Sequence, residues 1–258
     1  MPKRHRIRLV TQPDPPSTNP AHAAGGGDVA QADDVAAIVV AAGRGSRFGA
    51  AENKVLLPLA QVPIWTRAVE AMKRCADIGR VVMVVRACDH DRLEPDARRL
   101  GVEMVLGGEQ RYDSVRAGLD RLLTTGNVPR WVAVHDAARP LVTDEDVRAV
   151  VQAAKNHRAA ILATPIRGTI KLCRSNGPMT TVDRTDMWEA LTPQVFETTL
   201  LRDAYARHRG RPATDDAELV ERAGVNVCLV PGSAENLKIT RFEDLEIAEA
   251  ILSRRIDP

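Results

Sequence analysis

From residue 34 onward, short continuously apolar runs rich in β-branched residues alternate with stretches whose apolar positions recur every three or four residues. A strand that is apolar on both faces needs cover on both faces, and a helix between two strands lets them run parallel. This pattern restricts the chain to an α/β fold, a doubly wound and mostly parallel sheet. The strand runs are residues 35–42, 81–85, 102–106, 131–135, 159–164 and 227–230. The helical patterns are 64–75, 92–100, 114–123, 147–155 and 242–252. Two of these begin with a capping-box arrangement, Thr143 with Asp146 and Thr240 with Glu243. One stretch breaks the alternation: 169–172 and 179–182 read as extended pieces around a turn at Ser175-Asn176-Gly177-Pro178. They predict a β-arm inserted into the α/β frame at about 165–185, and a second subunit is one candidate for what it packs against.

Composition narrows the class further. Aromatic residues are 3% of the chain, so the core is built from Val, Leu, Ile and Ala. The longest apolar run, residues 35–42, is far short of the roughly 20 residues that a membrane span requires. Cys75, Cys88, Cys173 and Cys228 form no CxxC and no short ladder, which points to free thiols in a reducing compartment and a cytoplasmic protein. Residues 1–33 start with Lys3, Arg4, Arg6 and Arg8 and continue rich in Pro, Ala and Gly, without apolar periodicity. They read as a disordered tail before a single domain at 34–258. The formal net charge is +2, so no global field favours nucleic acid.

The chemistry is carried by turns that follow strands. Ala41-Ala42-Gly43-Arg44-Gly45-Ser46-Arg47-Phe48-Gly49 leaves the first strand. A glycine-rich turn there brings backbone N–H groups to a phosphate. The spacing is not that of a P-loop, and Phe48 stands where the third glycine of a dinucleotide fingerprint belongs. Arg47 in the turn and Lys54 beyond it add the fixed cations that a triphosphate needs. Gly107-Gly108-Glu109-Gln110-Arg111 repeats the strand–glycine–helix layout, and reads equally as a nucleotide contact or a tight turn. His135-Asp136-Ala137-Ala138-Arg139 leaves another strand at the edge where open parallel sheets hold ligands. Asp136 suits Mg²⁺ or a substrate hydroxyl; Arg139 suits a phosphate or a loop; a structural Asp–Arg pair is the plain alternative. Asn236-Leu237-Lys238 follows the last strand and aims Lys238 at the same crevice, while Thr214-Asp215-Asp216 reads as a helix cap. HExxH and GxSxG are missing from the sequence, and no Cys–His cluster has ligand spacing. What remains is a cationic cradle with one carboxylate, suited to phosphoryl or nucleotidyl transfer.

Together these motifs resemble the 2-C-methyl-D-erythritol 4-phosphate cytidylyltransferase family. The loop 41–49 with Lys54 is similar to the family's first signature. Residues 107–119 and 134–140 are similar to its second and third. Thr169-Ile170-Lys171, Trp188, Leu191-Thr192-Pro193-Gln194, Asp215-Asp216-Ala217 and Asn236-Leu237-Lys238-Ile239-Thr240 follow in the family's order. The resemblance implies a nucleotidyltransferase-type fold, a homodimer joined by the β-arm, and transfer of CMP from CTP, with Mg²⁺, to a sugar-alcohol phosphate. It implies Arg47, Lys54, Arg167 and Lys238 as catalytic cations. It implies nucleotide or substrate contacts from Ala41, Ala42, Gly43, Gly45, Gly108, Ser114, Asp136, Ala137, Arg139 and Thr181, with no metal held by the protein alone. Two departures stand out: Asn53-Lys54-Val55 where the family commonly has Pro-Lys-Gln, and Gly168 where it usually has Asp. Two alternatives share the turn motifs: a cytidylyltransferase for ribitol 5-phosphate, and a non-catalytic nucleotide-binding paralogue.

Overall fold

The computed structural model describes residues 34–43, 53–174, 177–208 and 210–256. Residues 1–33, Gly45, Arg47 and the turn residues Ser175 and Asn176 lie outside the described residues. The first strand is β1 (Val35–Val40), and a short hairpin, β2 (Pro58–Leu59) and β3 (Val62–Pro63), leads into α1 (Ile64–Arg74). Next come β4 (Ile78–Val85), α2 (His90–Arg99), β5 (Glu103–Leu106), α3 (Arg111–Leu123), β6 (Trp131–Asp136), α4 (Asp144–His157) and β7 (Ala159–Pro165). The arm strands β8 (Ile170–Leu172) and β9 (Thr180–Val182) precede β10 (Trp188–Glu197), α5 (Thr198–Ala206), α6 (Asp216–Arg222), β11 (Cys228–Pro231) and α7 (Phe242–Ile256).

The central sheet has the order β11-β7-β10-β6-β1-β4-β5. Its strands run parallel except β10, which is antiparallel to both β6 and β7. Helices cover both faces, as the continuous apolar runs require. In β1, Val35, Ala37 and Val39 pack towards Trp65, Val69 and Met72 of α1 and Val150 of α4. Ala36 and Ile38 pack the other way, towards Val115 and Leu119 of α3 and Leu201 of α5. Gly118 lets α3 approach the sheet: a Cβ there would stand 2.7 Å from Ile38 Cγ2. A third cluster, with Leu59, Ile64, Leu141 and Ile239, is closed by Ala248 of α7.

Several expectations change. The helix expected at 114–123 starts at Arg111, which places that arginine in its first turn. Thr143 caps α4 as expected, its hydroxyl accepting from the Asp146 N–H at 3.1 Å. At α7 the partner is Asp244 rather than Glu243: its Oδ2 accepts from the Thr240 N–H at 2.7 Å and the Arg241 N–H at 2.8 Å. The arm is a two-stranded ribbon apart from the main sheet, with Lys171 opposite Thr181. Residues 188–192, which the sequence did not assign to a strand, belong to β10 in the middle of the sheet. Among the described residues no helix is long and apolar enough to cross a membrane. Cys75, Cys88, Cys173 and Cys228 are all free thiols.

β10 carries Pro193, which cannot donate to a ladder and so argues against a central strand. The sheet accommodates it by a register shift between Ala190 and Gln194, where the missing N–H is not needed. Beside this bulge, Thr192 joins β10 to the end of β6. Its hydroxyl accepts from the Asp136 N–H at 3.1 Å and lies 3.1 Å from His135 Nδ1. His135 Nε2 faces the Arg139 carbonyl at 3.1 Å. A carbonyl only accepts, so Nε2 carries the proton and Nδ1 accepts from Thr192. Burial lowers the His135 pKa to about 4, and the ring is neutral.

This gives a signed pH dependence. Between about pH 6.5 and 4 the unfolded chain takes a proton that the native ring refuses. The stability tied to His135 is therefore fully present above about pH 6.5 and falls as pH drops, by up to about 1.4 kcal/mol per pH unit. Urea unfolding between pH 7 and 5 is expected to show this slope, and His135→Gln to flatten it by about one proton. Equal slopes in the two proteins would refute the assignment.

Candidate active site

A cleft of about 540 Å³ opens at the carboxyl edge of the sheet. It lies across the ends of β1 and β6, where the chain first turns from building the sheet on one side to building it on the other. Such switch points are where open α/β sheets bind ligands. Its walls come from three connections: between β1 and β2 (Ala41, Ala42, Gly43, Lys54), from β5 into the first turn of α3 (Gly108, Arg111, Ser114), and after β11 (Lys238), with Asp136 between them.

Asp136 is the last residue of β6, so the strand itself aims it at the cleft. Its Oδ1 accepts from Arg111 Nε at 3.2 Å and its Oδ2 from Lys238 Nζ at 2.5 Å. Burial alone pushes its pKa up, but Arg111 and Lys238 outweigh this and hold it far below the usual carboxylate range. Arg111 also donates from Nη1 to Asp216 Oδ2 at 2.8 Å, and Tyr205 OH donates to Asp216 Oδ1. Burial lowers the Arg111 pKa, yet Asp216 and Asp136 raise it overall, so the guanidinium stays charged. Burial, then the Asp216 carboxylate, raises the Tyr205 pKa, so the phenol keeps its proton and donates it.

Lys238 is placed by its loop, which is pinned at three points. Arg139 Nη1 donates to the Asn236 carbonyl at 2.7 Å. Asn236 Nδ2 donates to the Thr192 carbonyl at 2.9 Å. The Ile239 N–H donates to the Ala138 carbonyl at 2.8 Å.

Of the residues singled out from sequence, Ala41, Ala42, Gly43, Lys54, Gly108, Ser114, Asp136 and Lys238 converge on the cleft. Gly45 and Arg47 are outside the described residues. Ala137 and Arg139 do not line the cleft. Ala137 is fully buried, its N–H donating to the Val40 carbonyl at 3.0 Å. Arg139 is 6% exposed and donates to the Asn236 carbonyl, which is the loop-fixing role offered for it by the sequence. Thr181 is exposed on the arm and accepts from Lys171 Nζ at 2.6 Å. Arg167 lines a separate shallow depression of about 410 Å³ at the base of the arm, together with Arg184 and Trp188.

Gly107 and Gly108 form a tight turn, and Gly108 is also part of the site. A Cβ on Gly107 would stand 2.7 Å from Ala42 Cβ, and one on Gly108 would stand 2.4 Å from Asp113 Cβ. Asp215 caps α6 as expected, accepting from the Glu218 N–H at 2.9 Å. Asp216, read as part of the same cap, instead anchors Arg111. Sequence reasoning also missed Tyr205 and Gln194. The Gln194 Oε1 accepts from the N–H groups of Asp216 and Ala217 at 3.2 and 3.1 Å, and Nε2 donates to Asp215 Oδ2 at 2.8 Å. The only sequence signal for Gln194 was its place in the Leu191-Thr192-Pro193-Gln194 motif.

Comparisons agree with this geometry. The family described as IspD, 2-C-methyl-D-erythritol 4-phosphate cytidylyltransferase, matches residues 35–254. The 2-C-methyl-D-erythritol 4-phosphate cytidylyltransferase of Rhodopirellula baltica is 42% identical over 234 residues, covering 86% of this chain and 96% of that protein. The structure of 4-diphosphocytidyl-2C-methyl-D-erythritol synthase from Anaerococcus prevotii superposes with a TM-score of 0.75 at 25% identity, covering 87% of this chain and all of that one. That of the 2-C-methyl-D-erythritol 4-phosphate cytidylyltransferase from Thermus thermophilus gives 0.72 at 32% identity, covering 85% and 99%. Since the match takes in every described strand of the central sheet and every wall of the cleft, the chain belongs to the 2-C-methyl-D-erythritol 4-phosphate cytidylyltransferase family.

Proposed function

We propose that this protein transfers CMP from CTP to 2-C-methyl-D-erythritol 4-phosphate, giving 4-diphosphocytidyl-2-C-methyl-D-erythritol and pyrophosphate for isoprenoid precursor synthesis. The observation that carries the reading is the cleft itself, where Arg111 and Lys238 hold the ionised Asp136 at the sheet's carboxyl edge and Lys54 lines the same cleft. An oxygen of the acceptor's phosphate attacks the α-phosphorus of CTP. The bond from that phosphorus to the bridging oxygen breaks, and its electrons leave with pyrophosphate. No protein nucleophile takes part.

Arg47 and Lys54 neutralise the charge that develops on the α-phosphoryl oxygens and the leaving group, and preorganised cations stabilise such charge without reorganisation. The N–H groups after β1 and at Gly108 receive the nucleotide. Asp136 and Lys238 stand where the acceptor enters, the carboxylate fixing the ammonium's position.

The family's chemistry implies Mg²⁺ with CTP. Among the described residues no group of three or more His, Cys, Asp or Glu side chains could hold a metal ion, and Asp136 already has a cation on each oxygen. In this reading the protein offers no dedicated cage, and the ion belongs to the triphosphate.

The arm supports a homodimer: Leu172, Met179 and Met187 on and beside it are exposed. Gly168 leaves the acceptor open to test, since a Cβ there meets nothing within 4 Å and an Asp would fit.

Four outcomes check this reading. Pyrophosphate release from CTP and Mg²⁺ is expected with methylerythritol phosphate and not with ribitol 5-phosphate; the reverse would move the protein to the other acceptor, and CTP binding without release would make it a non-catalytic paralogue. Lys54→Ala is expected to lower turnover by about 10²- to 10³-fold. Lys238→Ala should raise the KM for the acceptor about tenfold or more, in steady-state assays at saturating CTP. Light scattering is expected to give the mass of a dimer, and a monomer at working concentration would remove the arm's role.

A further inference from the structure

The nucleotide segment leaves the sheet at Ala41 and returns at Asn53, immediately before Lys54. These two ends touch. Asn53 Nδ2 donates to the Ala41 carbonyl at 3.0 Å and to Asp89 Oδ2 at 2.9 Å. Its Oδ1 accepts from the Val55 N–H at 3.4 Å, capping the 3-10 turn Lys54–Leu56. Asn53 is 1% exposed, and both of its amide hydrogens are used.

Each partner is itself fixed. The Ala41 N–H donates to the Val84 carbonyl at 2.8 Å, which registers the end of β1 on β4. Asp89, 6% exposed, accepts from Arg86 Nε at 2.6 Å and Nη2 at 2.8 Å. One carboxamide therefore joins three separate places: the exit of β1, the turn that carries Lys54, and the corner between β4 and α2. Ala41 and Lys54 both line the cleft, whereas Asp89 and Arg86 do not.

We propose that Asn53 is a positioning residue for the reaction: by tying the Ala41 carbonyl to Asp89 it sets where Lys54 stands relative to the nucleotide-binding end of β1. The proposal rests on the reading of Lys54 as a cation that stabilises charge at the α-phosphorus. The chemistry of the joint is directional. Both of its partners are oxygens, so only a donor pair holds them. Alanine removes the donors and leaves the Ala41 carbonyl and one Asp89 oxygen short of a partner. Aspartate has the same shape but sets a second carboxylate against Asp89 and another oxygen against Ala41.

The test is steady-state kinetics on the full chain with CTP, Mg²⁺ and methylerythritol phosphate, each variant's folded fraction being measured by circular dichroism at assay temperature. Asn53→Ala is expected to lower kcat about 10-fold and Asn53→Asp about 100-fold, as displacement of a charged group by about 1 Å does. The acceptor KM should stay within about twofold, since that site is built from other loops. Asp89→Asn, added to Asn53→Asp, should recover part of the loss by removing the facing charge. In a Lys54→Ala background, Asn53→Ala should have no further effect on kcat, because the two act as one unit. Where Asn53→Ala is poorly folded, Asp89→Asn alone serves, with a smaller kcat loss expected. Wild-type kcat in the folded Asn53 variants would overturn the proposal, as would an equal loss with and without Lys54. Full turnover by Lys54→Ala is a separate result, and overturns the assignment of Lys54 beneath it.

Discussion

A carboxylate held away from water at the floor of a cleft is costly unless cations stand against it. Asp136 meets that condition with Arg111 on one oxygen and Lys238 on the other. Much of the surrounding architecture follows from keeping those cations there. Arg111 is held by Asp216 as well as by Asp136, and Asp216 is held by Tyr205 on one side and by Gln194 through its backbone N–H. Lys238 is long and flexible, so its loop is fixed by Arg139, Asn236 and Ala138 instead. Along this wall two carboxylates, Asp136 and Asp216, alternate with two cations, Arg111 and Lys238, and Lys54 adds a further cation at the cleft. Such a wall orients a substrate that is itself a polyanion without binding every anion equally well.

β10 is the structural device behind this arrangement. An antiparallel strand between β6 and β7 interrupts an otherwise parallel sheet, and its bulge brings Thr192 and Gln194 to the same edge as Asp136. Thr192 satisfies the Asp136 N–H, orients His135 and offers its carbonyl to Asn236. Gln194 caps α6 and so places Asp216.

Much of the fold was legible because both-face burial leaves a strong trace. The run 35–42 read as a covered strand, of which Val35–Val40 is β1, and the alternation of strands and helices pointed to a mostly parallel sheet. β10 was not legible in this way, because Pro193 and polar Thr192 and Gln194 interrupt its apolar pattern, and each is explained only by a partner far along the chain. α5 has nine residues and too short a period to stand out. At the site, glycine-rich turns marked the cleft because backbone approach demands small residues there. Arg139 read in sequence as holding either a phosphate or a loop, because a buried arginine that holds a carbonyl leaves the same trace as one that holds a phosphate. Asp216 was taken for a cap because Asp215, beside it, is one. Asn53 was visible as a departure from the family pattern, but its partners Ala41 and Asp89 lie 12 and 36 residues away and nothing local names them.

The contacts that assemble the charged floor span long distances in sequence: 105 residues between Arg111 and Asp216, and 102 between Asp136 and Lys238. Loops of this size close late, after local helices and neighbouring strand pairs have formed. A ribosome-bound chain that has emerged only as far as β6 has its glycine-rich turns, Arg111 and Asp136, but neither Asp216 nor Lys238. Catalytic competence therefore arrives with the last fifth of the polypeptide, and a truncated or stalled product carries the glycine-rich turns without the means to use them.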